Sequence, residues 1–315
     1  MVLPMRTFPA FAVVLASGIS LALALGACGE SSSGVSIEAV ATEARDTTAA
    51  APAGGAPSGL PARRALVWAV GDGDASPAAA TLVRLIARSH PDLFLYLGDV
   101  YERGTAADFA RRYAPTYGRL ARRTAPTPGN HEWPRAREGY FPYWKRATGR
   151  KLPGLYALEV AGWEILSLNS QTSHGAGSAQ LRWLRARLRR PGTCRLAFWH
   201  RPRFSAGTVH GDQPDMAPLW QALVGRARLV IAGHEHGSQR FRRRDGITQL
   251  VAGAGGRALY PIRISDSRLA FGDASRHAAL RLGLRPGGAR LAFVASSGRV
   301  LDRGSVRCAR LSAAR

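Results

Sequence analysis

The chain has 315 residues, 46% hydrophobic and 21% charged, with 44 Lys plus Arg against 21 Asp plus Glu. That composition excludes wholesale disorder and leaves ample length for a sizeable core. The net charge of +23 admits an anionic partner such as nucleic acid, a membrane surface or a phosphorylated substrate. Lys145 and Lys151 are the only lysines, and the arginines are dispersed in short groups such as Arg242-Arg243-Arg244. Such dispersal favours genome-wide arginine usage over a dedicated binding stripe.

Residues 7–29 carry no charge and follow Arg6, with an Ala-, Leu- and Val-rich run from Phe8 to Ala27. This is the layout of an export signal, expected over residues 1–27. The run also reaches the roughly 20 apolar residues of a membrane span. Its end, Leu25-Gly26-Ala27-Cys28, resembles a bacterial lipobox, so Cys28 is the expected site of lipidation. A plain signal peptide or an uncleaved anchor are the alternatives. Residues 28–62 are rich in Ser, Ala, Gly and Pro and read as a flexible linker. A membrane-anchored or secreted location outside the cytoplasm follows. There the two remaining cysteines, Cys194 and Cys308, suggest a disulfide, with two buried thiols as the alternative.

One domain is expected over residues 63–310. Ala65 to Val70 and Leu93 to Leu97 read as buried strands, each ending in Gly-Asp. Helices are expected at Ala78 to Ser89 and Ala106 to Ala121. Ala125 to Pro128 leads into Gly129-Asn130-His131. Leu155 to Val160 and Glu164 to Leu168 flank Gly162 as a hairpin. Gln180 to Arg190 and Ala217 to Val224 read as helices. Strands are expected at Arg195 to Trp199, Ala227 to Ile231, Gln249 to Ala252, His277 to Leu284 and Ala289 to Val294.

Residues with metal-ligand chemistry recur just after these apolar strands, where α/β folds place their sites. They are Asp72, Asp99, Asn130-His131, His200 and His234-Glu235-His236. Each is weak alone, because Gly-Asp usually marks a turn. Together they offer carboxylates and imidazoles suited to borderline and hard metals. A two-metal site, with ions about 3.5–4 Å apart, needs a bridging carboxylate and terminal ligands on each ion.

The ordered blocks Gly71-Asp72, Gly98-Asp99, Gly129-Asn130-His131-Glu132, Phe198-Trp199-His200 and Gly233-His234-Glu235-His236 resemble the motifs of calcineurin-like metallophosphoesterases, and most closely the purple acid phosphatase branch. Pro202-Arg203-Phe204-Ser205 and Val251 to Gly256 resemble family segments around the site. The resemblance runs from Ala65 to Cys308. It implies an α/β (α+β) fold, a four-layer α-β-β-α sandwich with its metal site at the carboxyl ends of strands. It implies hydrolysis of phosphoesters at two metal ions, Fe with Fe, Zn or Mn, through a metal-bound hydroxide.

On the matching residues, Asp72 and His236 would bind the first metal and Asp99 would bridge. Asn130, His200 and His234 would bind the second, with Asn130 also near substrate. His131 and His210 would bind the phosphoryl group and assist catalysis. Glu132 would lie behind the ligands and orient His131. Two departures stand out. The triplet Asp72-Gly73-Asp74 lacks the His found in many relatives, and Tyr101 stands two residues after Asp99 where the purple branch has a Tyr three residues after. Tyr101 is the expected ligand, with Asp74 or water as the alternatives. The segment after His236 keeps only Arg240-Phe241 of a Tyr-Glu-Arg-like stretch. The implied substrate is a phosphomonoester. A phosphodiester or nucleic acid is the alternative, and a non-catalytic surface lipoprotein is a third reading.

Overall fold

A computed structural model describes residues 64–149, 151–190 and 194–308. The expected signal, Cys28 and linker lie outside the described residues. No helix among the described residues is long and apolar enough to cross a membrane.

Among the described residues, thirteen strands form two sheets. In chain order they are β1 Ala65–Val70, β2 Leu93–Tyr96, β3 Thr124–Pro126, β4 Tyr156–Val160, β5 Trp163–Ser167, β6 Cys194–Phe198 and β7 Leu229–Ala232. Then come β8 Ser238–Phe241, β9 Thr248–Ala252, β10 Leu269–Asp273, β11 Ala278–Arg285, β12 Gly288–Ala295 and β13 Val300–Arg307. The first sheet has the order β13-β12-β11-β1-β2-β3, the second β10-β8-β9-β7-β6-β5-β4. Within them β1-β2-β3 and β5-β6-β7-β9 run parallel. Parallel neighbours bring their carboxyl ends to one edge.

Side-chain alternation explains the layering. Val67 and Ala69 of β1 meet Leu196 and Phe198 of β6 in the core between the sheets. Trp68 and Val70 face the opposite way, against helix Pro77–Arg88 and helix Tyr140–Thr148. Ala197 and Trp199 face helices Ala179–Leu188 and Ala217–Leu223. Helix, sheet, sheet, helix is the expected four-layer sandwich.

Cys194, at the start of β6, is bonded to Cys308, just after β13, with 5.3 Å between Cα atoms. The link joins the two sheets through their shared core.

Two local details differ from the sequence reading. Residues 106–121 do not form one α-helix. Thr105 caps Ala106–Asp108, a π-turn follows at Phe109–Tyr113, and a 3-10 segment spans Tyr117–Arg123. Pro115 lies between them, lacking an N–H and crowding the preceding turn. The helix Tyr140–Thr148 and strands β8, β10 and β13 are additional elements. The hairpin β4–β5 is as expected, and its turn residues Ala161 and Gly162 both have positive φ, 49° and 76°. That twist matches the flanking strands.

Candidate metal centre

The carboxyl ends of β1, β2, β3, β6 and β7 deliver Asp72, Asp99, Asn130-His131, His200 and His234-His236 to the line where the sheets meet. Backbone links hold that line. The Gly71 N–H donates to the Ala252 carbonyl at 2.9 Å, and the His234 N–H donates to Asp72 Oδ2 at 2.9 Å. The chain turns abruptly after each strand, and Asp72, Asp99 and His234 all adopt positive φ (60°, 66° and 72°). Such φ is uncommon outside glycine and persists where surrounding structure enforces it.

The neighbouring glycines serve a different need. Gly129 and Gly233 have no positive φ; they make room. A Cβ on Gly129 would lie 2.0 Å from Asp99 Oδ1, and one on Gly233 2.7 Å from Asp72 Oδ2. Side-chain volume there would displace the carboxylates.

The donors form two groups that meet at one atom. His200 Nε2 lies 3.0 Å from Asn130 Oδ1, 3.1 Å from His234 Nδ1 and 3.3 Å from Asp99 Oδ2. Asp99, His200 and His234 place one donor atom each within 4.8 Å of one another. On the other side, the Tyr101 hydroxyl lies 2.7 Å from His236 Nε2 and 3.3 Å from both Asp72 Oδ1 and Asp99 Oδ2. Asp99 Oδ2 therefore touches both groups. Asp72, Asp99, Tyr101, His200, His234 and His236 are all buried.

Backbone carbonyls set the imidazole orientations. His200 Nδ1–H donates to the Leu97 carbonyl at 2.8 Å, and His236 Nδ1–H donates to the Ala258 carbonyl at 2.7 Å. Both rings thus turn Nε2 inward. His131 Nδ1–H donates to the Glu102 carbonyl at 2.5 Å, leaving Nε2 3.9 Å from Asp99 Oδ2. His210 stacks on His234 with centroids 4.1 Å apart.

Electrostatics tests whether these residues suit metal ions. Burial pushes the Asp72 carboxyl well above its usual range, despite nearby His200. Burial also lowers His234 to about 2 and His236 to about 4, keeping both rings neutral. Burial opposes ionisation of both members of the Asp99–His200 pair, but their mutual attraction wins. It holds Asp99 below its usual range and lifts His200 to about 9. Two neutral imidazoles, a carboxyl that resists ionisation for want of positive charge and a carboxylate that without metal borrows its counter-charge from His200 are a donor set that divalent or trivalent ions would complete. The residues fit.

Asp74 is occupied elsewhere. Its carboxylate pairs with Arg112 at 2.8 Å and Arg257 at 2.9 Å. Glu132 does not orient His131. Its carboxylate accepts the N–H groups of Gly129, Asp99 and Val100, tying the β2 and β3 loops together.

Three residues escaped the sequence reading. Tyr260 stacks on His236 at 3.9 Å. The Arg257 guanidinium lies 4.5 Å from the Tyr101 ring centre and pairs with Glu102 at 2.6 Å. Glu235, inside a recognised motif, accepts the His210 and Gly211 N–H groups and so holds the His210 loop. Arg257 and Tyr260 follow directly on the Val251 to Gly256 segment, in an irregular stretch where no spacing marks them as facing the site.

Purple acid phosphatase 22 of Arabidopsis thaliana is 27% identical over 215 residues, covering 59% of this chain and 47% of that protein. Probable purple acid phosphatase 20 of Arabidopsis thaliana is 28% identical over 180 residues, covering 48% and 40%. The chain thus spans less than half the length of these curated relatives. Among solved structures, a purple acid phosphatase from yellow lupin (Lupinus luteus) seeds superposes with a TM-score of 0.61 at 16% identity, over 78% of this chain and 54% of that one. GAP50, the anchor in the inner membrane complex of Plasmodium, gives 0.63 at 14% identity, over 78% and 89%. These structural likenesses speak to the fold. Residues 67–238 match the calcineurin-like phosphoesterase family, more than half of the sequence. With the motif residues gathered at one seam between the sheets, the chain belongs to the calcineurin-like phosphoesterase family.

Proposed function

We propose that this chain is an exported, metal-dependent phosphoester hydrolase that favours phosphomonoesters. The observation that supports this reading is the meeting of two donor groups at Asp99 Oδ2. Asp72, Tyr101 and His236 would hold one ion, Asn130, His200 and His234 the other, and Asp99 both. Two ions so held would neutralise phosphoryl charge and acidify water.

The remaining chemistry belongs to the protein. His131, with Nδ1–H committed to the Glu102 carbonyl, would present Nε2 to the phosphoryl group and carry the proton needed by the leaving oxygen there. His210 would flank the phosphoryl oxygens from the opposite loop. Burial holds the Tyr101 phenol well above its usual range, with Asp72 adding to the effect. A strongly Lewis-acidic ion offsets that tendency, so Tyr101 favours iron in the first position. The Cys194–Cys308 disulfide supports a location outside the cytoplasm, with residues 1–27 as signal, Cys28 lipidated and residues 28–62 as tether.

The test is metal analysis with a visible spectrum, together with turnover of p-nitrophenyl phosphate and bis(p-nitrophenyl) phosphate. Two metals per chain, faster monoester turnover and a tyrosinate band absent from Tyr101→Phe are expected. Faster diester turnover would transfer the assignment to phosphodiesters; metal-bound protein inert on both would end the hydrolase reading. Gly129→Ala is a second check. Its Cβ would press on Asp99 Oδ1, and metal affinity is expected to fall by about 10²-fold, as when residues supporting a metal ligand are lost. Circular dichroism should be unchanged, and normal metal content would show that Asp99 need not be so tightly placed.

A further inference from the structure

The arginine run Arg242-Arg243-Arg244 follows β8 and plays no part in the metal centre. It lines a second cavity of about 120 Å³, together with Arg268 and an aromatic floor of Phe204, Trp220 and Phe241. The floor belongs to the outer layer of the second sheet, packed beside helix Ala217–Leu223.

Two guanidinium groups of the lining approach the Phe204 ring, Arg244 at 4.9 Å from its centre and Arg268 at 5.9 Å, and Arg203, outside the lining, lies 4.6 Å from it. The ring is firmly placed. The buried Gln249 side chain accepts the Phe204 N–H at 3.0 Å and donates back to the Phe204 carbonyl. Trp220 packs edge-on at 5.0 Å.

The charges are unevenly compensated. Arg268 is neutralised by Asp212 and Asp266. Arg244 reaches only the adjacent Asp245, at 3.9 Å, and Asp245 also accepts the Trp220 indole N–H. Arg242 donates to the Ser267 carbonyl. Among the described residues, Arg203, Arg242 and Arg243 have no carboxylate partner. Gathering like charges around one ring is unfavourable unless something negative joins them. A guanidinium laid against an aromatic face is weakly hydrated there and keeps its N–H fork for an oxyanion. A single carboxylate occupies one fork. A tetrahedral dianion has oxygens for several, and its charge matches Arg242 and Arg243, the cations of the lining that have no carboxylate partner among the described residues.

We propose that this cavity is a second anion site, separate from the metal centre, which takes the phosphate group of a small soluble phosphate. The site does not depend on the chain being a catalyst.

Equilibrium dialysis with radiolabelled inorganic phosphate tests it, using the full metal-loaded chain and its Arg242→Gln/Arg243→Gln variant. Two classes of bound phosphate are expected in the parent. The class outside the metal centre should persist when Asp99→Asn is introduced. It should weaken at least tenfold in the double arginine variant, whose p-nitrophenyl phosphate turnover stays unchanged. Arg243→Gln alone, at an exposed position, serves if the double variant does not fold. Undiminished phosphate binding in the arginine variants would overturn the proposal. So would arginine-dependent binding seen only with phosphatidylglycerol vesicles or only with DNA. Loss of turnover in the parent would bear on the hydrolase reading alone.

Discussion

If the proposed centre is right, Asp99→Asn is expected to leave the protein folded, strip it of at least one metal and reduce phosphomonoester turnover by about 10³-fold or more, since both proposed ions would share this carboxylate. The amide is nearly isosteric. Its oxygen can still accept the His131 N–H, which meets Asp99 Oδ1 at 3.1 Å. What disappears is the charge beside His200 and the only oxygen placed at 3.3 Å from both donor groups. The fold should tolerate the change, because Asp99 lies close enough to Asp72 for their charges to oppose each other. The discriminating measurement is thermal melting with and without added metal. The parent should gain stability from metal by mass action, while the variant should gain little. A variant with near-normal metal content and turnover would remove Asp99 from its proposed role.

Cys194→Ser/Cys308→Ser should cost about 5 kcal/mol, the scale set by closing a loop of this length in the unfolded chain. At about 2–4 °C per kcal/mol for a domain of this size, the melting temperature should fall by roughly 10–20 °C. Chain entropy is only part of the cost. Cys194 is buried in the core between the sheets, so the variant also leaves unpaired hydroxyls there. Reduction of the parent should reproduce the shift. An unchanged melting temperature in both experiments would mean that the bridge contributes nothing to holding the sheets together.

The motif residues were legible because each follows a short apolar strand. Val67 to Val70 and Phe94 to Leu97 are buried on both faces, so the strand and its carboxyl end stand out from the polar residues that follow. Their convergence was legible only through the family resemblance, since spacing alone does not bring Asp72 and His236 to one point. Elements without that contrast were missed. β13 lies at a sheet edge with alternating exposed residues such as Arg303 and Ser305. β8 reads as polar because Gln239 is buried to donate and accept hydrogen bonds within the Ser205–Ala206 segment rather than to fill a core. Helix Tyr140–Thr148 buries only Tyr140 and Trp144, and Pro142 in its first turn masks its start. Glu132 was placed near the site but given the wrong neighbour. Its three N–H partners are backbone groups, and side-chain chemistry alone does not announce them.

Strand β6 is fastened at both ends. Cys194 ties its beginning to the far sheet through sulfur, and His200, just past its end, hydrogen-bonds the carbonyl of Leu97 on that same sheet. A strand clamped at only one end can peel by fraying from the other, exchanging its amides without disturbing the rest. β6 has no such loose end. Separating it from the opposite layer requires breaking the bridge region or dismantling the histidine cluster. A strand held at both ends by the opposite layer is therefore the one that carries a central imidazole. The rigidity of that imidazole is inherited from the way the two sheets are joined.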